Sequence, residues 1–355
     1  MPKEKIWIRA DGNENIATGH IRRCLTIATE LKIMGAEVVF VLSDKKSEKV
    51  LKSISGNEFS AIILNTDYQN MLSEEKTLRA LLLSEKPAFL LIDSYAVEKD
   101  YFSFLKSFIS ENLLETKLGY IDDIYKFDYP VEVVINYDLK IPDNFYSAPC
   151  RLLGPEYTPI RGQFVTGEKT IKDKAETILV TSGGADEKRV LSNLMADIFS
   201  PAFKNELSKK KFRVVLGPLF DEDYKKFLRL YALKNENVEM FDNITDLSDL
   251  MKEADLAISA AGTTLYELCA SGVPTIAYSI AENQRIFVKD FEKEEIVKYS
   301  GDAEDVLELS ENLQRECINL IEDKNARQKM SKKGQSLIDG KGAARIAEAI
   351  MKTIG

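Results

Sequence analysis

Short, almost unbroken apolar runs recur along the whole chain, each ending in polar residues. The first is Ile6-Trp7-Ile8-Arg9 with Ala10, running into Asp11-Gly12-Asn13; others are Glu37 to Leu42, Ala61 to Leu64, Ala88 to Ser94, Lys117 to Ile121 and Val131 to Ile135. Runs that do not alternate with polar residues belong to strands buried on both faces, and parallel pairing of such strands requires crossover segments between them. The intervening stretches supply those crossovers. Leu25, Ile27, Ala28, Leu31 and Met34 recur at helical spacing, and further helices are expected near residues 46–54 and 71–84. The order strand, helix, strand predicts an α/β fold with doubly wound, mainly parallel sheets, in which ligands gather at the carboxyl ends of the strands.

A chain of 355 residues exceeds one ordinary core. Between residues 142 and 174 the prolines 142, 149, 155 and 159 and the glycines 154, 162 and 167 interrupt regular elements, so this stretch reads as the passage between two domains. A second series opens at Glu176 to Ser182 and continues with strands at Phe212 to Leu216, Leu256 to Ser259 and Thr275 to Tyr278. The expected division is a first domain over residues 1–160 and a second over 175–340. A final helix within 341–355 is expected to pack back on the first domain.

Composition excludes several function classes. The net charge of −9, with no basic stripe, argues against a nucleic-acid partner. The segment Met1-Pro2-Lys3-Glu4-Lys5 lacks an apolar signal core, and no run reaches the roughly 18 apolar residues of a membrane span. A cytoplasmic protein without a membrane span is expected. Cys24, Cys150, Cys269 and Cys317 are scattered without a C-x-x-C pair, so they read as reduced, mostly buried residues; neither a metal site nor a cofactor is expected.

His20 is the sole histidine, and it lies where the first strand hands over to the first helix, in Gly19-His20-Ile21-Arg22-Arg23-Cys24. Acid-base chemistry near neutral pH has its default reagent there, and a helix start offers backbone N–H groups to an anion. Asp11 stands close enough in sequence to orient His20 or to bind a ligand; an Asp-Gly turn explains it equally well. Two turns of the second series have the shape of anion sites. Ser182-Gly183-Gly184-Ala185-Asp186 follows a strand and is expected to open directly onto a helix, and Ser259-Ala260-Ala261-Gly262-Thr263-Thr264 precedes a helix carrying Glu267. A carboxylate at Glu267 can accept from vicinal ribose hydroxyls; Thr264 and Glu267 also fit a capping box.

These residues carry a resemblance. Arg9-Ala10-Asp11-Gly12-Asn13 with Ile16, Gly19 to Leu25, Ile92-Asp93-Ser94-Tyr95, Ile121-Asp122-Asp123, Leu153 to Tyr157 with Arg161, Ser182 to Asp186, Gly262 to Glu267, Glu282-Asn283-Gln284 and Asp339 to Ile346 occur in an order that spans nearly the whole chain. The chain resembles the GT-B-like UDP-2,4-diacetamido-2,4,6-trideoxy-beta-L-altropyranose hydrolases of pseudaminic acid biosynthesis and the related spore-coat polysaccharide proteins.

That resemblance implies two Rossmann-like domains facing a cleft. It implies hydrolysis of a UDP-linked diacetamido-trideoxy sugar to UDP and free sugar, in nonulosonic acid or surface polysaccharide biosynthesis, with His20 activating water. Asp11, Gly19, Arg22, Asp93, Tyr95 and Arg161 are expected to bind substrate from the first part of the chain. Gly183, Gly184, Ala261, Gly262, Thr263, Glu267, Asn283 and Gln284 are expected around the UDP, with Glu267 on the ribose. Arg23 joins Arg22 and Arg161 as a candidate cation for the departing diphosphate. Some relatives carry Asp-His-Tyr where this chain has Asp93-Ser94-Tyr95, a departure that bears on the sugar. Two other readings use the same letters: a glycosyltransferase with a nucleotide-sugar donor, and a nucleotide-sugar binding protein without turnover. Enzymes of the same pathway are possible partners.

Overall fold

The computed structural model describes residues 3–13, 16, 18–199, 206–242, 244 and 246–355, apart from the side chain of Asn283. The chain divides into two compact units. One holds the described residues up to Ile160 together with Lys341–Gly355, and the other holds Arg161–Gly340.

The first unit runs β1 (Lys5–Ala10), α1 (Gly19–Ile33), β2 (Glu37–Leu42), α2 (Lys45–Ser55), β3 (Ser60–Ile63), α3 (Glu75–Glu85), β4 (Phe89–Asp93), α4 (Lys99–Glu111), β5 (Lys117–Ile121), β6 (Val133–Asn136) and β7 (Cys150–Leu153). All seven strands are parallel, in the order β3-β2-β1-β4-β5-β6-β7. Trp7, Leu90, Ile92, Leu118 and Tyr120 are fully or almost fully buried and pack with Phe102, Leu105 and Tyr129 into one core, and Ile6, Ile8, Phe89 and Leu91, which alternate with them, are buried too, the burial on both faces that unbroken apolar runs require.

The second unit runs β8 (Thr177–Thr181), α5 (Val190–Ile198), β9 (Lys211–Val215), α6 (Glu222–Lys234), β10 (Val238–Phe241), α7 (Ser248–Glu253), β11 (Leu256–Ala260), α8 (Thr264–Ala270), β12 (Thr275–Ser279), α9 (Glu282–Lys293), β13 (Val297–Asp302), α10 (Val306–Glu322) and α11 (Lys324–Leu337). Its six parallel strands take the order β10-β9-β8-β11-β12-β13. Aspartates set several helix starts in the chain: Asp44, Asp221, Asp305 and Asp323 each accept a first-turn N–H, at 2.8, 2.7, 3.0 and 2.9 Å.

The last helix, α12 (Gly342–Ile354), lies against α1 of the first unit. Its start also meets the segment after β7: a Cβ at Gly342 would stand 2.1 Å from Thr158 O, and Arg345 Nη1 donates to Glu156 O at 2.8 Å.

One sequence expectation is corrected. The proline- and glycine-rich stretch after residue 142 is not all connection, because Cys150–Leu153 forms β7 and pairs with β6 at the sheet edge. Pro149 and Gly154 flank that strand without entering it, so punctuation dense enough to suggest a linker leaves room for a four-residue edge strand.

In each sheet the strand order reverses direction at one place. In the first unit this lies between β1 and β4, and in the second between β8 and β11. Crevices at such switch points are where open α/β sheets take ligands.

Candidate active site

β1 and β4 end side by side, with Ala10 in register with Asp93. The loop after β1 leads into α1, so His20, in the helix's first turn, is delivered to the end of β4. His20 Nδ1 lies 2.6 Å from Asp93 Oδ1. In the neutral ring a carboxylate at this distance favours the proton on Nδ1 and the lone pair on Nε2; Arg23 Nη2 also stands 3.1 Å from Nδ1. Nε2 has no partner among the described residues.

Asp93 is itself held. Arg23 Nε donates to its Oδ2 at 2.6 Å and Arg23 Nη2 to its Oδ1 at 2.5 Å, a bidentate clamp in which all three side chains are buried. Burial alone would raise the Asp93 pKa; Arg23 and then His20 outweigh it and hold this carboxyl well below the usual range. Arg23 also donates through Nη1 to Asp123 Oδ2 at 2.8 Å and to Tyr137 Oη at 2.6 Å. Tyr95 donates its hydroxyl to the same Asp123 oxygen at 2.8 Å and sets its ring edge-on to His20, 4.5 Å between centroids.

Asp123 is presented by a turn that its neighbour fixes. Asp122 accepts from the N–H groups of Ile124 and Tyr125 at 3.0 and 3.2 Å, and from the hydroxyls of Tyr129 and Tyr146 at 3.1 and 2.6 Å. Burial pushes the Asp122 carboxyl up against the opposing pull of these bonds. Cys24 donates its thiol to Asp93 Oδ2 at 3.4 Å, and burial raises that thiol well above its ordinary value. It is a packed core residue, not a thiolate.

His20 and Asp93 line a cavity of about 380 Å³ together with Asp11, Ile16, Tyr68, Gln69, Ser94, Tyr95 and Ala96, within the size of small-molecule sites. Asp11 is in the lining but does not touch His20. Its Oδ1 accepts from Ser43 N and Oγ, both at 2.8 Å, and its Oδ2 accepts from Arg9 at 2.5 Å. Asp93 is the orienting carboxylate. Gly19 is the first residue of α1 and has open space before it. Arg22 Nε donates to Thr18 Oγ1 at 3.1 Å. Arg23, three residues from His20 and so on the same helix face, reaches Asp93.

In the second unit β8 and β11 run in register, Thr181 beside Ser259, which places the two expected anion turns next to each other. Gly183 has φ +79° and nothing within 4 Å of where a Cβ would stand; Gly262 likewise faces open space. The first turn does not open directly onto a helix. α5 begins at Val190, and Asp186 takes the N–H groups of Val190 and Leu191 at 2.9 Å each while accepting from Tyr224 Oη at 2.5 Å. That helix start is therefore capped from within the protein, and the Gly183 N–H donates to Thr181 Oγ1 at 3.1 Å.

At the second turn the Thr264 capping box is not formed. The cap position is Thr263, and its side chain makes no capping bond. Glu267 Oε1 lies instead 3.5 Å from Arg161 Nη2, with both side chains partly exposed, and the Arg161 guanidinium sits 4.9 Å from the Phe164 ring centroid. Ala261 N donates to Tyr278 O at 2.8 Å, extending the sheet to the turn. Gln284 Oε1 accepts from Ile280 N at 2.9 Å, while the Asn283 side chain lies outside the described residues. Among the described residues no three potential ligands converge as a metal site, and no helix is long and apolar enough to cross a membrane.

Residues 177–349 match the glycosyltransferase family 28 C-terminal domain. The chain is 28% identical over 195 residues to the spore coat polysaccharide biosynthesis protein SpsG of Bacillus subtilis, covering 54% of this chain and 56% of that protein. It is 26% identical over 290 residues to the pseudaminic acid cytidylyltransferase and UDP-2,4-diacetamido-2,4,6-trideoxy-beta-L-altropyranose hydrolase of Helicobacter pylori, covering 80% of this chain and 46% of that protein. The chain thus spans about half the length of these curated relatives. Among solved structures, MurG of Acinetobacter baumannii superposes with a TM-score of 0.72 at 16% identity, covering 99% of this chain and 100% of that one. The fold is GT-B: two α/β units, each on an all-parallel sheet.

Proposed function

We propose that this protein is an enzyme of nucleotide-sugar metabolism that hydrolyses a UDP-linked diacetamido-trideoxy sugar, in nonulosonic acid or surface polysaccharide biosynthesis. The observation that carries the reading is the His20–Asp93 pair: a single histidine on a cavity wall, its Nδ1 bound at 2.6 Å to a carboxylate that is itself clamped by arginine. A base so held has one tautomer and one direction.

In the proposed reaction the oxygen of water bonds to the anomeric carbon while the bond from that carbon to the diphosphate oxygen breaks. The electron pair leaves with UDP, and the proton of water passes to His20 Nε2. Asp93 stabilises the imidazolium that forms, and Arg23 keeps Asp93 ionised. We assign UDP to the second unit, with the backbone at Gly183-Gly184 and Ala261-Gly262-Thr263 near the diphosphate, Glu267 on the ribose hydroxyls and Arg161 as the adjacent cation. Gln284 and Asn283 are assigned to the same nucleotide.

The test is release of UDP and free sugar from a panel of UDP-acylamino sugars with no acceptor present. The reading expects rapid release that His20→Ala loses while UDP binding is kept. UDP binding without release from any sugar would defeat it.

A second reading has its own observation, the match of residues 177–349 to a glycosyltransferase domain. In that case His20 deprotonates a hydroxyl of an acceptor instead of water, and release depends on that acceptor.

A further inference from the structure

Tyr68 and Gln69 form part of the cavity wall, and no sequence feature singled them out. They lie between β3 and the short 3-10 turn Met71–Glu74. This loop is pinned from beneath by buried charge. Glu74 is fully buried; its Oε2 accepts from Arg9 Nε at 2.8 Å, and its Oε1 accepts from the Tyr101 hydroxyl. Arg9 continues through Nη1 to Asp11. One buried arginine of β1 therefore fixes both Asp11 and the turn that follows Gln69.

The lining carries a bias about what it would hold. Each of these carboxylates is already ion-paired, Asp93 with Arg23 and both Asp11 and Glu74 with Arg9. The Tyr95 hydroxyl is spent on Asp123. Gln69 is exposed, and its Nε2 donates to Tyr68 Oη at 3.3 Å, which leaves a second amide hydrogen and the Oε1 acceptor available. Beside it stand Ile16, Ala96 and the rings of Tyr68 and Tyr95. A neutral polar contact beside an apolar bed suits an acylamino group, whose amide pairs with glutamine and whose methyl covers apolar surface; a hydroxyl would leave that surface uncovered.

We infer that Tyr68 and Gln69 read a neutral acylamino substituent on the sugar, and that Arg9 and Glu74 are positioning residues which hold that wall in place. The inference rests on the reading that a nucleotide-linked sugar enters this cavity. Its test uses binding, so that it stands apart from turnover.

In the full chain carrying His20→Ala, to keep hydrolysis from intruding, UDP, UDP-glucose and UDP-N-acetylglucosamine are titrated with and without Gln69→Ala. The expected result is a preference of about three- to tenfold for the acetamido sugar over the hydroxyl sugar, abolished by Gln69→Ala with UDP affinity unchanged. Glu74→Gln, which touches no ligand, is expected to reduce the same preference. Equal binding of the two sugars before Gln69 is changed, or a preference that survives Gln69→Ala, overturns the inference even if Glu74→Gln fails to fold. Failure of the proposed hydrolysis would show separately, as absence of UDP release from the His20 protein.

Discussion

Both units place their candidate residues where the strand order reverses, but they build with different material. In the first, His20, Arg23, Asp93 and Asp122 are buried side chains bonded to one another or to their neighbours. In the second, Gly183 and Gly262 leave open the space that a Cβ would fill. The difference follows from the tasks proposed for them. Moving a proton needs a base with a fixed tautomer, which only a network of side chains supplies. Holding a diphosphate needs close N–H donors, which a Cβ would obstruct. The proposed reacting site and the proposed holding site thus stand at equivalent positions of the two sheets, and their variants should fail in different ways.

The sharpest division is expected at His20. His20→Ala should lower turnover roughly 100- to 10,000-fold while UDP affinity, followed by titration calorimetry, stays constant; a matching loss of UDP binding would erase the contrast. Arg23→Met comes next, because it leaves Asp93 and Asp123 without their shared cation. Urea unfolding should show a loss of about 3–5 kcal/mol.

The same clamp sets an acid limit. The folded protein holds Asp93 ionised more strongly than the unfolded chain does, so the stabilisation is complete above the unfolded pKa of about 3.9. It is lost as pH falls through the lower folded value. Acid unfolding followed by circular dichroism should be steeper below about pH 4 for the unmodified protein than for Asp93→Asn.

Changes in the second unit are expected to be smaller and to fall on binding. Glu267→Gln should weaken UDP about tenfold and remove discrimination between ribose and its dideoxy form, with unfolding unchanged. Gly262→Ala should leave stability within about 0.5 kcal/mol and reduce UDP affinity severalfold, because its methyl enters open space at the turn. Gly183→Ala instead forces an L side chain to φ +79° and should cost about 1–2 kcal/mol of stability. Equal stability losses at the two glycines would contradict this account of the turns.

Much of the fold was legible because burial on both faces writes itself into a strand as an unbroken apolar run. Glu37 to Leu42 and Lys117 to Ile121 occur as strands over those same residues. The strand β7 was hidden by its flanking proline and glycine. In the site, His20 was legible by being the sole histidine and by following a strand. Its partner was not. Asp11 is close in sequence and Asp93 is 73 residues away, and only the adjacency of β1 and β4 decides between them. That adjacency is a property of sheet order, which local pattern does not record. The place of Arg23 beside His20 was readable in principle, since a spacing of three shares a helix face. Tyr68 and Gln69 left no trace, because a polar pair in an exposed loop looks like any other solvated turn.

The most direct test of the central claim is hydrolysis of a UDP-diacetamido-trideoxy sugar in water enriched in oxygen-18, without acceptor, with mass analysis of both products at early times. Attack of water on the anomeric carbon puts the heavy oxygen in the released sugar and none in UDP, with no release by His20→Ala. Heavy oxygen in UDP would place the attack on phosphorus and contradict the account, as would release that His20→Ala leaves intact.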